Sequence, residues 1–411
     1  MSKVKHIPQG YKDSPLGIIP KEWEVKRLGE LCTKIGSGVT PRGGQNVYLS
    51  QGRPFLRSQN VANGYLLLDD VVFIDEITHQ KQKSTEIELD DVLLNITGAS
   101  IGRSAVATSE IVGGNVNQHV CIIRLKDKTL SYYICAFLLS YIGQKQIDSY
   151  QAGGNREGLN YDQIASFKIF IPSSKEIIQI WNFLSLWDTA IEKQSELIEK
   201  LKLRKRALMQ QLLTGKKRLP GFSREWKRIK AGDIFMSSSV RGKRSEVLLS
   251  ATQEQGVIPR DQLEGRVTMP TGNLESFKLV EVGDFVISLR SFQGGIEYSE
   301  HRGIVSPAYT VLKPVKEIDK SFYRFYFKST DFIGHLAIAV IGIRDGKQIS
   351  YEDFCFVKIP YPRIEEQKAI SAILIQAEKE IELAKEKLSN LQSQKRGLMQ
   401  QLLTGKKRVS I

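Results

Sequence analysis

Arg42, Arg57, Thr97, Ser100, Arg103, Asn155 and Arg156 in the first half of the chain fall in or near short glycine-bearing segments. So do Arg241, Lys243, Arg244, Arg290, Gln293, Arg344 and Lys347 in the second. Small residues let a backbone approach a phosphate, and guanidinium, amide and hydroxyl groups hydrogen-bond phosphates and base edges. The segments include Gly36–Gly44 (GSGVTPRGG), Asn95–Ser104 (NITGASIGRS) and its counterpart Ser288–Gly295 (SLRSFQGG). Gly153–Asn160 (GGNREGLN) and Gly342–Ser350 (GIRDGKQIS) form a second corresponding pair. Each segment could equally be a plain tight turn, and residue type does not separate base readers from phosphate contacts.

Catalysis finds no comparable constellation. The sequence has no HExxH, no CxxC pair and no histidine cluster for a metal. It has no GxSxG for a serine nucleophile. Gly36–Gly44 does not follow a clear strand and open a helix, as a dinucleotide fingerprint must. The Asn/Asp-Pro-Pro-aromatic tetrapeptide of an amino-methyltransferase is absent, as is a strand-linked glycine fingerprint for S-adenosylmethionine. Gly215-Lys216 suggests a phosphate loop, but Gln210 and Lys217 stand where GxxxxGK[ST] needs Gly and Ser or Thr. Asp90-Asp91 with Glu86 and Glu88 come nearest to metal carboxylates, and capping a strand is the commoner use of such groups. No catalytic residue, metal ligand or bound cofactor is therefore expected.

Lys and Arg outnumber Asp and Glu 59 to 45, a net charge of +14, which favours an acidic partner such as DNA or RNA. Cys32, Cys121, Cys135 and Cys355 are scattered, and no signal peptide is recognised, so they read as reduced thiols of a cytoplasmic protein. No apolar run approaches the length of a membrane span, so no membrane partner is expected.

The elements that position the loops are written twice. RALMQQLLTGKKR at 206–218 returns as RGLMQQLLTGKKR at 396–408, an offset of 190 residues. The register holds back through Ile191-Glu192 with Ile381-Glu382, Glu176 with Glu366, Pro172 with Pro362 and Tyr161 with Tyr351. That period is too long for a solenoid unit of roughly 20–50 residues and implies two domains, each followed by one connector. Each domain opens alike, with Glu22-Trp23 in one and Glu225-Trp226 in the other.

Both connectors carry a 3-4 seam. The first is Ile177, Ile180, Leu184, Trp187, Ile191, Gln194, Ile198, Leu201, Lys205, Leu208 and Leu212. The second is Gln367, Ile370, Leu374, Ala377, Ile381, Ala384, Leu388, Leu391, Lys395, Leu398 and Leu402. Such spacing predicts helices that wrap each other. Prolines 172 and 362 precede the helices, and Gly215 and Gly405 end them. The basic ends Lys216–Arg218 and Lys406–Arg408 read as charge at a helix C-terminus, with a DNA-phosphate contact as the other reading. Paired with each other, the helices must run antiparallel and place the two domains at opposite ends.

Domain one shows strand-like runs at Tyr65–Leu68, Val71–Ile74, Val92–Ile96 and Val120–Leu125, then a helix over Ser131–Tyr150. Domain two repeats the plan with Phe285–Leu289, Val305–Leu312 and a helix over Phe322–Phe332. The fold class is α+β: two globular domains, 1–172 and 216–362, with helices at 173–215 and 363–411 forming an antiparallel intramolecular coiled coil and a pseudo-two-fold repeat.

Taken in order, IPKEWEVKRLGEL at 19–31, NITGASIGRSAV at 95–106, VNQHV at 116–120, IPYPRIEEQKAI at 359–370 and the duplicated LMQQLLTGKKR resemble the specificity subunits (HsdS) of type I restriction-modification systems. IPSSKEIIQI at 171–180 lacks the EEQ phrase, and domain two lacks a clean TGxxIG. The resemblance implies a non-catalytic sequence reader whose two target-recognition domains each bind half of a bipartite, asymmetric site in double-stranded DNA. It implies docking of two modification (methyltransferase) subunits on the helices, and restriction subunits that translocate and cleave. S-adenosylmethionine, ATP and Mg²⁺ would sit on those partners. The rival readings are a self-contained nuclease or methyltransferase, and a stand-alone DNA-binding regulatory scaffold that self-associates through its coil.

Overall fold

A computed structural model describes residues 7–151, 158–243, 245–263, 274–289, 291–340 and 349–409. The chain forms two compact units, Met1–Lys193 with Leu388–Ile411, and Gln194–Lys387. Each holds one globular domain and half of each long helix.

In the first unit an antiparallel sheet runs in the order Cys32–Ser37, Val120–Leu125, Val92–Asn95, Ser104–Val106. Val92–Asn95 is buried at every position, as an apolar run of that length requires. Asp90, at φ +67°, turns the chain into it. The Asp91 carboxylate then accepts from the Glu88 amide at 2.7 Å and from Arg124 Nε and Nη2 at 2.8 Å each. The Asp90-Asp91 pair is thus a turn and an ion pair. Strand Glu24–Arg27 pairs with Lys168–Ile171 beside the entry to the first long helix.

The second unit builds the same antiparallel order from Phe235–Ser238, Thr310–Pro314, Phe285–Ile287 and Glu297–Tyr298. Its core is aromatic: Phe235 packs edge-on to Phe285 at 5.5 Å and to Tyr323 at 5.3 Å between ring centroids.

The expected helices both divide, and for one reason. Ser140 separates Ser131–Leu139 from Tyr141–Gln151. Its hydroxyl donates to the Phe137 carbonyl at 2.6 Å and accepts from the Gly143 amide at 3.3 Å, so it ends one helix and caps the next. Ser329 does the same between Lys320–Tyr326 and Thr330–Val340, donating to Tyr326 and accepting from Phe332. Tyr65–Leu68 is no strand. It makes one bridge, Val61 to Leu66, while the Asn60 amide takes the Leu67 carbonyl at 3.0 Å. Val305–Leu312 is two strands, because Ser306 and Pro307 turn the chain between Gly303–Val305 and Thr310–Pro314.

The long helices, Ser174–Leu212 and Ile364–Leu402, have 39 residues each. That is about 58 Å at 1.5 Å per residue. Gly215 at φ +72° and Gly405 at φ +67° supply the left-handed ends. Every seam position is buried or half-buried. In the first unit Ile177, Ile180, Leu184 and Leu402 enter the globular core, with Leu398 against it. Leu212, Ile370 and Leu374 do so in the second, with Leu208 alongside. Of the other apolar positions, Ile198 and Ile381 are buried, and Trp187, Ile191, Leu201, Leu388 and Leu391 are half-buried.

The helices pair antiparallel within each unit. Asp188 faces Lys395 in the first. In the second, Lys205 holds Glu378 at 2.5 Å and Arg204 pairs with Glu380. Gln194, the polar residue in the first seam, is 6% exposed and donates to the Ala384 carbonyl at 2.9 Å. One satisfied polar seam residue of this kind fixes register.

Candidate nucleic-acid interface

Three loops of the first unit meet at one end of its sheet. The Gly38 amide donates to the Asn117 carbonyl at 3.1 Å, and a Cβ on Gly38 would lie 1.6 Å from the Val116 carbonyl oxygen. Only glycine permits that approach, so the glycine-rich segment is pinned to the Val116–Val120 loop. The Gln118 carbonyl oxygen accepts from the Thr40 amide at 3.0 Å and from its hydroxyl. The Gln118 amide nitrogen therefore faces His119 Nε2, at 3.1 Å, and donates to it. His119 then carries its proton on Nδ1 and donates to the Thr97 hydroxyl at 2.5 Å. Thr97 in turn forms a β-bridge with Gly158.

The chain Thr40, Gln118, His119, Thr97 thus ties two of the segments picked out by composition through the Val116–Val120 loop, and the Gly158 bridge adds a third. The turn at Gly98–Ser100 carries Gly98 at φ +69° and leads to Arg103, whose backbone is fixed by bonds to Ser100 and Asn95. Thr97 and Ser100 are half-buried, while Arg42 and Arg103 are exposed. The result is a rim of hydroxyl, amide and guanidinium groups on backbone held by hydrogen bonds.

Arg57 belongs to a different arrangement. Its Nη2 donates to the Asp70 carbonyl at 2.8 Å, and its guanidinium lies 5.9 Å from the centre of the Tyr48 ring. Gln118 and His119 were not among the residues picked out for contact. The signal was present in the sequence as a polar Asn-Gln-His set between two strands.

In the second unit the turn between Phe285–Ile287 and Glu297–Tyr298 occupies the same topological place as Ile96–Arg103. The Ser288 amide donates to Ser291 Oγ at 2.8 Å. Gly295, at φ +80°, packs where a Cβ would lie 1.9 Å from the Phe327 carbonyl oxygen. Arg241 and Lys243 are exposed on a loop whose Gly242 amide donates to the Glu275 carbonyl at 3.1 Å. Burial and then the nearby Arg241 charge hold Lys278 below the ordinary lysine range. Asn155, Arg156, Arg244, Arg290, Arg344 and Lys347 lie outside the described residues, as does the Gln293 side chain.

Burial pushes the Cys32 and Cys121 thiols up to about 12 and Cys135 up to about 11, the wrong direction for a nucleophile. Among the described residues no group of three His, Cys, Asp or Glu is placed to hold a metal ion. No helix among them is long and apolar enough to cross a membrane.

Each unit also carries the same clasp. Glu176, 1% exposed at its side chain, accepts from Trp23 Nε1 at 2.9 Å and from Arg408 Nε at 2.6 Å. Glu366 accepts from Trp226 Nε1 at 2.9 Å and from Arg218 Nε and Nη2 at 2.7 Å each. The last arginine of each LTGKKR thus binds a buried carboxylate at the start of a long helix.

The candidate loops thus sit on one sheet order that is built twice. Residues 20–203 and 223–393 match the type I restriction modification DNA specificity domain. The chain belongs to that family, as a specificity subunit with two such domains. It is 24% identical to a Methanocaldococcus jannaschii chain provisionally named the type I restriction enzyme MjaX specificity subunit, over 98% of this chain and 97% of that one. It is also 24% identical to the MjaVIII specificity subunit of the same organism, over 95% and 94%. In fold it resembles a chain from a structure concerned with complex assembly and conformational transition of the type I R-M system. There the TM-score is 0.60 and the identity 16%, over 94% of this chain and 99% of that one. It also resembles the type I restriction-modification S subunit of M. genitalium, with TM-score 0.50 and 15% identity over 95% and 96%.

Proposed function

We propose that each domain of this chain reads one half of a bipartite, asymmetric DNA site and that the chain itself performs no chemistry. Two modification subunits dock on the paired helices and supply methyl transfer with their own S-adenosylmethionine. Restriction subunits, with ATP and Mg²⁺, join that assembly in the cytoplasm. One observation carries this reading: the sheet order and the Trp–Glu–Arg clasp are built twice, while the loops at the sheet ends differ. A shared frame with unlike loops suits two unlike half-sites, and a repeated frame suits two copies of one partner. The seam residues are shielded within the chain itself, which favours this reading over a scaffold that self-associates through its coil.

The test is a genome-wide methylation map of a host expressing the chain with its modification subunit, against the same host lacking the chain. The expected result is a new interrupted, asymmetric methylated motif. No chain-dependent motif, with an active and bound modification subunit, would refute the proposal.

A further inference from the structure

Gln118 stands between two strands of the first unit on backbone held from both sides. The Asn117 amide donates to the Leu56 carbonyl at 3.0 Å, the His119 amide to Asn117 Oδ1 at 3.0 Å, and the Ile96 amide to the His119 carbonyl at 3.0 Å. The Gln118 side chain is exposed, yet its orientation is settled. A backbone amide only donates, so the atom facing the Thr40 amide is the Gln118 carbonyl oxygen. That oxygen has two lone pairs, and the Thr40 amide and hydroxyl take both. One hydrogen of the Gln118 amide goes to His119 Nε2 at 3.1 Å, and the Thr97 hydroxyl holds the ring at Nδ1. The second amide hydrogen has no partner among the described residues.

An unconstrained glutamine offers both a donor and an acceptor, and reads adenine through the two together. Gln118 has its acceptor filled and one donor engaged, so it offers DNA a single N–H. Suppressing the acceptor gains nothing against a phosphate, whose oxygens only accept. It matters against a base edge that presents a donor. There the held carbonyl does not turn outward to meet an amino group, and a base carrying one is rejected. The fold itself does not ask for this arrangement. The second unit builds the same sheet order, and its corresponding turn reads Ser306-Pro307-Ala308-Tyr309, with neither a side-chain amide nor an imidazole.

We infer that Gln118 is a base-reading residue of the first domain, a fixed single donor that selects a major-groove acceptor (guanine O6 or N7, thymine O4) and rejects cytosine. His119 is its positioning residue, because Nε2 dictates which way the amide turns while the ring itself is engaged by Thr97 and Gln118. The inference rests on the proposed reading of DNA by this domain. Gln118→Glu keeps the shape of the side chain and reverses its sense. Thr40 still donates to one carboxylate oxygen. The His119 proton moves to Nε2 to face the other, and the Thr97 hydroxyl turns to donate to Nδ1. The outward group is then an acceptor, which suits the cytosine N4 amino group.

The experiment uses the full chain with its modification subunit. The mapped motif is randomised one position at a time in a duplex pool, and the bound fraction is sequenced. Gln118→Glu is expected to change one position of one half-site from guanine or thymine to cytosine, by roughly tenfold in relative affinity. Every other position and the unfolding temperature should be kept. His119→Ala, which adds no charge and frees the amide to turn, is expected to relax that same position. His119→Gln, whose carbonyl oxygen takes the place of Nε2, is expected to restore it. If the charge added by Gln118→Glu abolishes all binding, the two His119 variants decide by themselves. An unchanged preference in Gln118→Glu or in His119→Ala would overturn the inference. So would uniform weakening at every position with a changed salt dependence, which marks a phosphate contact. An unaltered chain that selects no motif with an active and bound modification subunit would count against the proposed function instead.

Discussion

Arg57 and Arg103 show how far a residue's type can be read without its surroundings. Both are arginines beside glycine or serine turns, and both were candidates for DNA contact. In the fold, Arg57 reaches Asp70, which lies on the next loop, whereas Arg103 stands exposed at the end of the Thr97–Arg103 turn. Arg103→Ala is expected to leave stability within about 0.5 kcal/mol, as surface changes do. It should weaken specific DNA binding by about 1–3 kcal/mol if Arg103 reads a base. Competition titrations decide its role. Relaxation at one base position marks a reader, and uniform weakening with a shallower salt dependence marks a phosphate contact. Arg57→Ala, by contrast, removes a half-exposed ion pair worth about 0.2–1 kcal/mol. Its effect should appear in a urea titration before it appears in specificity. Gln118 and His119 went unselected because their value lies in the chain of hydrogen bonds from Thr40 to Thr97, and no spacing rule encodes bonds between loops so distant in sequence.

At the scale of elements, the long helices were the most legible part of the chain. Their seam is periodic, bounded by Pro172 and Pro362 and ended by Gly215 and Gly405, and each of those signals is local. The breaks at Ser140 and Ser329 were hidden in uninterrupted apolar patterns, because one serine hydroxyl serves two helices only once both are formed. The basic ends were read as charge at a helix terminus. The repeat gave no hint that Arg408 and Arg218 bind Glu176 and Glu366, since partners far apart in sequence leave no spacing to read. Glu176→Ala leaves the buried Trp23 Nε1 without an acceptor and is expected to cost about 1–3 kcal/mol, measured by urea unfolding. Glu366→Ala should behave alike in the second unit, and no loss in either variant would remove the clasp from the account. The helices also act as a ruler in the proposed function. Four residues inserted into one of them add about 6 Å. The gap between half-sites should then grow by one or two base pairs at about 3.4 Å each. A methylated motif of unchanged spacing would discard the ruler.

For the whole molecule, the repeat is what makes the function readable. A frame conserved within one chain, from Trp23 and Trp226 through the sheet order to the two LTGKKR ends, separates what the fold requires from what has been free to change. The loops at the sheet ends are among what changed, and these must differ if the half-sites differ. The most direct measurement exchanges one domain. Residues 20–172 would be replaced by the corresponding segment of a relative with a different, known motif, and the methylated motif mapped in cells that also carry the modification subunit. The account predicts that one half-site changes to the relative's while the other half-site and the spacing stay. Change in both half-sites, or in neither with methylation intact, would contradict it.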